Sequence, residues 1–169
     1  MKAKLIIENK EIEIEISEEE YKKLQPPEEK KTGYERVPES DVYFYTYPSG
    51  CVETTCETCY DIDDECYESA NYYSDKTVAE NNTRADKLMR QLRRFSVEHR
   101  ECEVNLNDMD TKKHCIYYDY GNNTLGTAFT LCAKTFGTIF FDSEETAQAA
   151  IDKFRDEFIW YFTEYKDSL

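Results

Sequence analysis

Four cysteines within sixteen residues, Cys51, Cys56, Cys59 and Cys66, form the densest group of chemically active side chains in the sequence. Four thiolates can close a tetrahedral zinc site, and a C-x2-C pair is the usual half of one. The full spacing, C-x4-C-x2-C-x6-C, matches no familiar knuckle, and the segment lacks the glycine that tight metal loops generally need. Residues 51–57 also read as a strand, which turns Cys51 and Cys56 to opposite faces. Free thiols are therefore expected, with no resident metal and no cofactor. The total of seven cysteines is odd, and the opening M-K-A-K-L-I-I-E lacks the apolar core of a secretory leader. Both point to reduced thiols and a cytoplasmic protein.

A second candidate is the acidic run Asp61, Asp63, Asp64 and Glu65. As a calcium loop it fails, with no glycine at the sixth position and Tyr72 where the bidentate acid belongs. Only two histidines occur, His99 and His114. His114 stands beside Cys115, but no third positioning group or oxyanion loop accompanies the pair. Phosphate-binding glycine loops, H-E-x-x-H and nucleophile elbows are all missing from the sequence. A non-enzymatic protein is expected.

Charge narrows the choice of partner. The formal net charge is −15, from 21 basic and 36 acidic residues, and residues 1–69 hold 8 of the former and 19 of the latter. Such a field repels phosphate, so direct binding to nucleic acid or anionic lipid is disfavoured and a basic protein surface is the natural complement. Acidic rows also raise the idea of DNA mimicry. Glu11, Glu13 and Glu15 stand about 6.7 Å apart along a strand face, against one charge per ~1.7 Å of duplex axis, so one row is too sparse. No run of 18 apolar residues is present, so no membrane span is expected.

The elements that must position these groups come in two copies. The stretch Tyr43 to Val52 lines up without a gap on Ile116 to Leu125, and Tyr72 to Ala79 lines up on Phe140 to Ala147. The expected fold is α+β: duplicated ββ(β)α units forming an antiparallel sheet with two long helices on one face. Repeat one spans 42–100: strand 42–47, turn Pro48-Ser49-Gly50, a return strand from Cys51, a short strand near 70–73 and a helix over 75–98. Val78, Ala85, Leu88, Leu92 and Phe95 face the core of that helix. Its outer face carries Arg84, Lys87, Arg90, Arg93 and Arg94, which self-pairing with the protein's own acids explains better than nucleic acid. Repeat two spans 114–167: strands 115–120, 124–132 and 136–141, then a helix capped by Asp142 or Ser143 with Ala147, Ile151, Phe154, Phe158 and Phe162 as its apolar stripe.

Ahead of the duplicated domain, 41–169, alternation over 3–16 predicts a β-hairpin turning at Asn9-Lys10. A short helix over 18–24 follows, capped by Ser17 with Glu20 and stopped by Gln25-Pro26-Pro27. Hairpin and helix form an N-terminal module, 1–25, joined by a linker, 26–40.

Four stretches together carry a family resemblance: K30-K31-T32-G33-Y34-E35-R36-V37; Y43-F44-Y45; N71-Y72-Y73-S74-D75-K76-T77; and F136-G137-T138-I139-F140-F141-D142-S143-E144-E145-T146-A147. The sequence resembles, over nearly its whole length, a group of small acidic proteins encoded by phages and prophages of Firmicutes. It departs from their pattern at Asn81-Asn82-Thr83 and in the Cys-rich segment 51–66. The matching motifs are turns, strands and caps, so no functional residue transfers through them. Some proteins of this appearance are anti-CRISPR inhibitors of type II-A systems that bind Cas9 and prevent target recognition or cleavage. The resemblance therefore implies a stoichiometric inhibitor of a Cas9-type effector, or of another basic nucleic-acid-binding protein, in the bacterial cytoplasm. Residues 53–68 hold seven acids and no base, and Glu53, Glu57, Asp61, Asp63, Asp64, Glu65 and Glu68 form the expected docking surface. The alternative is a phage accessory or structural protein, without enzymatic activity, that binds another host protein or self-associates through its aromatic sheet as a homodimer.

Overall fold

The computed structural model describes residues 2–7, 10–15, 17, 19 and 31–168. The chain divides into two compact units, Met1–Lys31 and Thr32–Leu169. In the first, β1 (Lys2–Ile7) pairs antiparallel with β2 (Lys10–Glu15), Ile7 opposite Lys10. Lys10, expected in the turn, thus lies in the strand, and Asn9 lies outside the described residues. Of the short helix expected over 18–24 only Glu19 is described, in helical conformation; the rest, with Glu20 and the Pro stop, lies outside the described residues.

The second unit is α+β. It contains the hairpin β3 (Val42–Thr46) and β4 (Val52–Cys56), then α1 (Asp61–Glu68) and α2 (Lys76–His99). A second hairpin follows, β5 (Lys113–Asp119) and β6 (Thr124–Thr130), and then α3 (Glu144–Thr163). One single merged sheet was expected; among the described residues each hairpin forms its own two-stranded ladder. The strands expected at 70–73 and 136–141 shrink to one bridge each, Phe44 with Tyr73 and His114 with Phe141.

Those bridges correct the internal alignment. Phe44 exchanges two backbone hydrogen bonds with Tyr73, both 2.9 Å, and His114 does the same with Phe141 at 3.0 and 2.8 Å. Phe44 therefore corresponds to His114, whereas the gapless alignment sets it on Tyr117. A shift of three residues reverses which face each side chain takes. Aromatics crowd both faces of these strands, so similarity alone does not distinguish the registers.

Helix starts and stripes follow the sequence closely. Asp75 caps α2 by accepting from the Val78 amide at 3.0 Å, and Ser143, not Asp142, caps α3 by accepting from Thr146 at 3.1 Å. The Asp142 carboxylate instead receives the Glu101 amide at 2.7 Å. Leu88, Leu92 and Phe95 of α2 meet Phe141 and Ala147, Ala150 and Phe158 of α3 in the main core, with Ile116 and Leu125 of the second hairpin packed on it. Phe154 and Phe162 of the expected stripe are half-buried, and the helix departs from helical backbone geometry at Phe154. A smaller cluster joins Tyr73, Val78 and Ala79 to Tyr34, Phe44 and Val52.

Residues 32–40, read from sequence as linker, are built into this second unit. Gly33 lies at φ +91°, and a Cβ there would fall 2.6 Å from Val78 Cγ2. The Gly33 carbonyl accepts from the Ser74 amide at 2.8 Å. The Glu35 carboxylate receives the Thr32 amide, the Thr32 hydroxyl at 2.9 Å, the Gly33 amide at 3.0 Å and the Ser74 hydroxyl at 2.9 Å. The Tyr34 hydroxyl accepts from Asn82, whose Oδ1 accepts from Tyr165 at 2.9 Å. The Asn81-Asn82 departure thereby acquires a structural role, since Asn81 also donates to the Lys166 carbonyl at 3.1 Å. Gly33→Ala should cost about 1–3 kcal/mol through backbone strain and the Val78 clash, read as a lowered urea midpoint with an unchanged slope.

Candidate docking surface

The outer face of the first hairpin, opposite α2, carries Tyr43, Tyr45, Glu53 and Thr55 by register. Helix α1 covers it. The Tyr43 hydroxyl donates to Asp63 at 2.8 Å, the Tyr43 ring stacks on Tyr72 at 3.9 Å, and Tyr67 meets Tyr72 edge-on at 5.4 Å. Positions i, i+4 and i+7 share one side of a helix. Asp61, Glu65 and Glu68 therefore point outward together and are exposed, while Asp63 turns inward and is buried.

Two of the seven expected docking residues are not on the surface. Glu57 is 1% exposed and Asp63 2%. Glu57 accepts both Arg36 Nε and Nη2 at 2.9 Å, the Tyr72 hydroxyl at 2.8 Å and the Cys59 amide at 2.9 Å. Asp63 accepts the Thr58 hydroxyl at 2.6 Å and amide at 2.9 Å, the Tyr60 amide at 3.2 Å and the Tyr43 hydroxyl. Asp64 is exposed but held by Arg36 Nη1 at 2.5 Å, and Glu53 accepts from Tyr45 at 3.2 Å. The docking set is thus corrected: Glu57 and Asp63 build the surface from inside, because an ion taken from water persists only with its lone pairs filled.

Charge alone did not reveal the apolar side chains among these acids. Tyr60 is 71% exposed and Ile62 60%, and Tyr67 is also exposed. Arg36, which ties Glu57 to Asp64, was visible only as part of a motif of unknown purpose. The signal that could have located the helix was the outward set Asp61, Glu65 and Glu68 at helical spacing. Its inverted pattern, with an acid inward and Ile62 outward, hid it.

The remaining reactive groups lie apart. All seven cysteines are free thiols, and among the described residues no three His, Cys, Asp or Glu side chains converge to hold a metal. Burial pushes the Cys115 thiol up, the direction opposite to that of an activated nucleophile. His99 stacks on Phe95 at 3.9 Å, and its Nδ1 lies 3.0 Å from the Phe95 carbonyl. On the basic stripe, Arg84 forks onto Glu157 at 2.8 and 3.1 Å and lies 4.0 Å over the Trp160 ring, and Arg94 pairs with Glu98 at 3.6 Å. Lys87, Arg90 and Arg93 make no ion pair among the described residues. A cleft of about 350 Å³ opens beside the main core, where Leu92, Ile116 and Phe158 line it without a charged side chain. No helix among the described residues is long and apolar enough to cross a membrane.

Compared with known protein families, curated proteins and solved structures, the chain matches none.

The buried carboxylates set an acid limit. The Arg36 guanidinium holds Glu57 at about 2, and the Thr58 hydroxyl and amide do the same for Asp63. Both values are depressed on folding, so their stabilisation is complete above the ordinary carboxylate range and disappears as pH falls through about 2. Urea unfolding between pH 6 and pH 2 should show stability falling below about pH 4.5. Glu57→Gln with Asp63→Asn should be less stable at pH 7 and show a shallower acid decline.

Proposed function

We propose that the protein is a non-catalytic inhibitor, of the phage-encoded kind its sequence resembles, that binds a Cas9-type effector stoichiometrically in the bacterial cytoplasm and blocks target DNA recognition or cleavage. The observation that carries this reading is the outer side of the first hairpin and α1. There Glu53, Asp61, Asp64, Glu65 and Glu68 stand exposed around Tyr60, Ile62 and Tyr67, with no basic residue between 53 and 75. Effectors of that class hold nucleic acid in a positively charged channel. Carboxylates supply steering toward such a channel and exclude wrong partners. Exposed aromatics supply the anchors that carry most of the energy in protein interfaces. Arg36, Glu57 and Asp63 serve it by fixing α1 to the hairpin, so that the surface is rigid before binding.

The test is a DNA-cleavage assay with purified effector, the protein being added before or after guide and target loading. Inhibition is expected when it is added first. Glu53→Gln, Asp61→Asn, Glu65→Gln and Glu68→Gln together should slow association about tenfold or more at low salt and flatten its salt dependence, with folding intact because none of the four is buried. Tyr60→Ala should instead speed dissociation. Full cleavage at every order of addition, with no complex by calorimetry, would remove this reading.

A further inference from the structure

Strand β6 has β5 as its one strand neighbour among the described residues. His114 uses its amide and carbonyl on Phe141, and so turns them away from β6. Bonding direction alternates along an antiparallel ladder. The bonded pairs inside the hairpin are therefore Lys113 with Thr130, Cys115 with Ala128, Tyr117 with Gly126 and Asp119 with Thr124. The amides and carbonyls of Leu125, Thr127 and Phe129 point out of the free edge, and none has another backbone partner among the described residues.

Proteins ordinarily blunt such an edge with charge, proline or a bulge. Here residues 120–133, fourteen in succession, carry no charge, in a chain whose charged fraction is 34%. The outer edge strand of the first hairpin, β4, differs in carrying Glu53. The β6 edge also reads alike in both directions about Thr127. Thr124 answers Thr130, Leu125 answers Phe129, and Gly126 answers Ala128.

We propose that β6 pairs antiparallel with β6 of a second copy, about a two-fold axis through Thr127, joining two hairpins into one four-stranded sheet. In this register Leu125, Thr127 and Phe129 meet Phe129, Thr127 and Leu125 of the second copy. Every outward donor then faces an outward acceptor, with two bonds for each facing pair. The interface is isologous, so it closes as a dimer. It also covers Phe129, now 54% exposed, with the second copy's Leu125. An edge strand without charges of its own suits a second copy for a further reason: two chains at −15 each repel, and β6 adds nothing to that repulsion, while Lys112, 4.4 Å from the Phe129 ring, offsets part of it. Glu144, which accepts from the Thr127 hydroxyl at 3.1 Å, is the carboxylate bonded nearest the axis. Salt should therefore tighten the dimer by screening this repulsion. The pairing is independent of effector binding, because the acidic surface lies on the other hairpin.

Light scattering of the full chain across a concentration series should give twice the 20.0 kDa chain mass, reached at lower protein concentration when salt is raised. Thr127→Pro removes only an outward amide, a place where an edge strand accepts proline, and Phe129→Lys sets charge into the seam. Each should halve the mass and leave the far-UV circular dichroism unchanged. Should either variant fail to fold, hydrogen exchange on the unaltered chain decides. Protection of the Leu125, Thr127 and Phe129 amides that rises with concentration supports the pairing. Rapid exchange of these amides at every concentration overturns it, as does a mass of one chain throughout or a dimer that survives both substitutions.

Discussion

The carboxylate of Glu57 sits out of water and accepts four hydrogen bonds, two of them from Arg36. It is the contact on which the outer half of the first repeat depends. Through it the strap beginning at Thr32 reaches the end of β4, and through Arg36 the strap also reaches Asp64 in α1. Asp63 repeats the arrangement from the helix side, taking bonds from Thr58, Tyr60 and Tyr43. An eight-residue helix with three acids in its first turn is too short to stand alone in water. It persists because two buried anions can be satisfied only if strap, strand end and helix meet. Breaking a buried pair costs more than the pair contributes, since an ion is left without its partner.

The two hairpin-and-helix halves of the second unit share a plan and differ on one face. Each has a hairpin, a bridge to the residue two positions before a helix cap, and a helix packed beneath. At the position of Tyr43 in the first half the second has Lys113, equally buried. Tyr43 looks to Asp63 of α1. Lys113 donates instead to the carbonyls of Thr111, Leu131 and Asp108 in neighbouring loops. The second hairpin therefore keeps its outer face without a covering helix, and Tyr117 lies over Gly126 there, close enough that a Cβ would meet the ring at 2.8 Å. The first hairpin and α1 thus present an exposed acidic surface, and the second hairpin a bare, neutral edge.

Much of this was legible beforehand where a local rule operates alone. The α2 stripe of Val78, Ala85, Leu88, Leu92 and Phe95 is buried throughout, because a period near 3.6 leaves one face for the core. The start of α3 was narrowed to a cap at Asp142 or Ser143 by side-chain chemistry at a fixed offset, and Ser143 fills it. Where two signals compete, legibility fails. In α1 the inward position is Asp63 and the outward one Ile62, so hydrophobic patterning describes the wrong helix face or none. In β3 and β5 aromatics occupy both faces, so similarity slips by three residues. The strap looked like a linker because its charged residues, Glu35 and Arg36, are bound to partners 39 and 21 residues away.

By itself the sequence determined the α+β class, the two long helices, the turns between β3 and β4 and between β5 and β6, and the strong negative field, since each rests on contacts between near neighbours or on composition. Tertiary structure alone decided which of the acids are exposed, that Glu57 and Asp63 hold the surface together, and that β6 ends a ladder instead of joining a larger sheet. Those outcomes turn on which distant groups fill a buried lone pair or occupy a strand's second side. Spacing along a chain does not encode that pairing; it arises only when the segments pack.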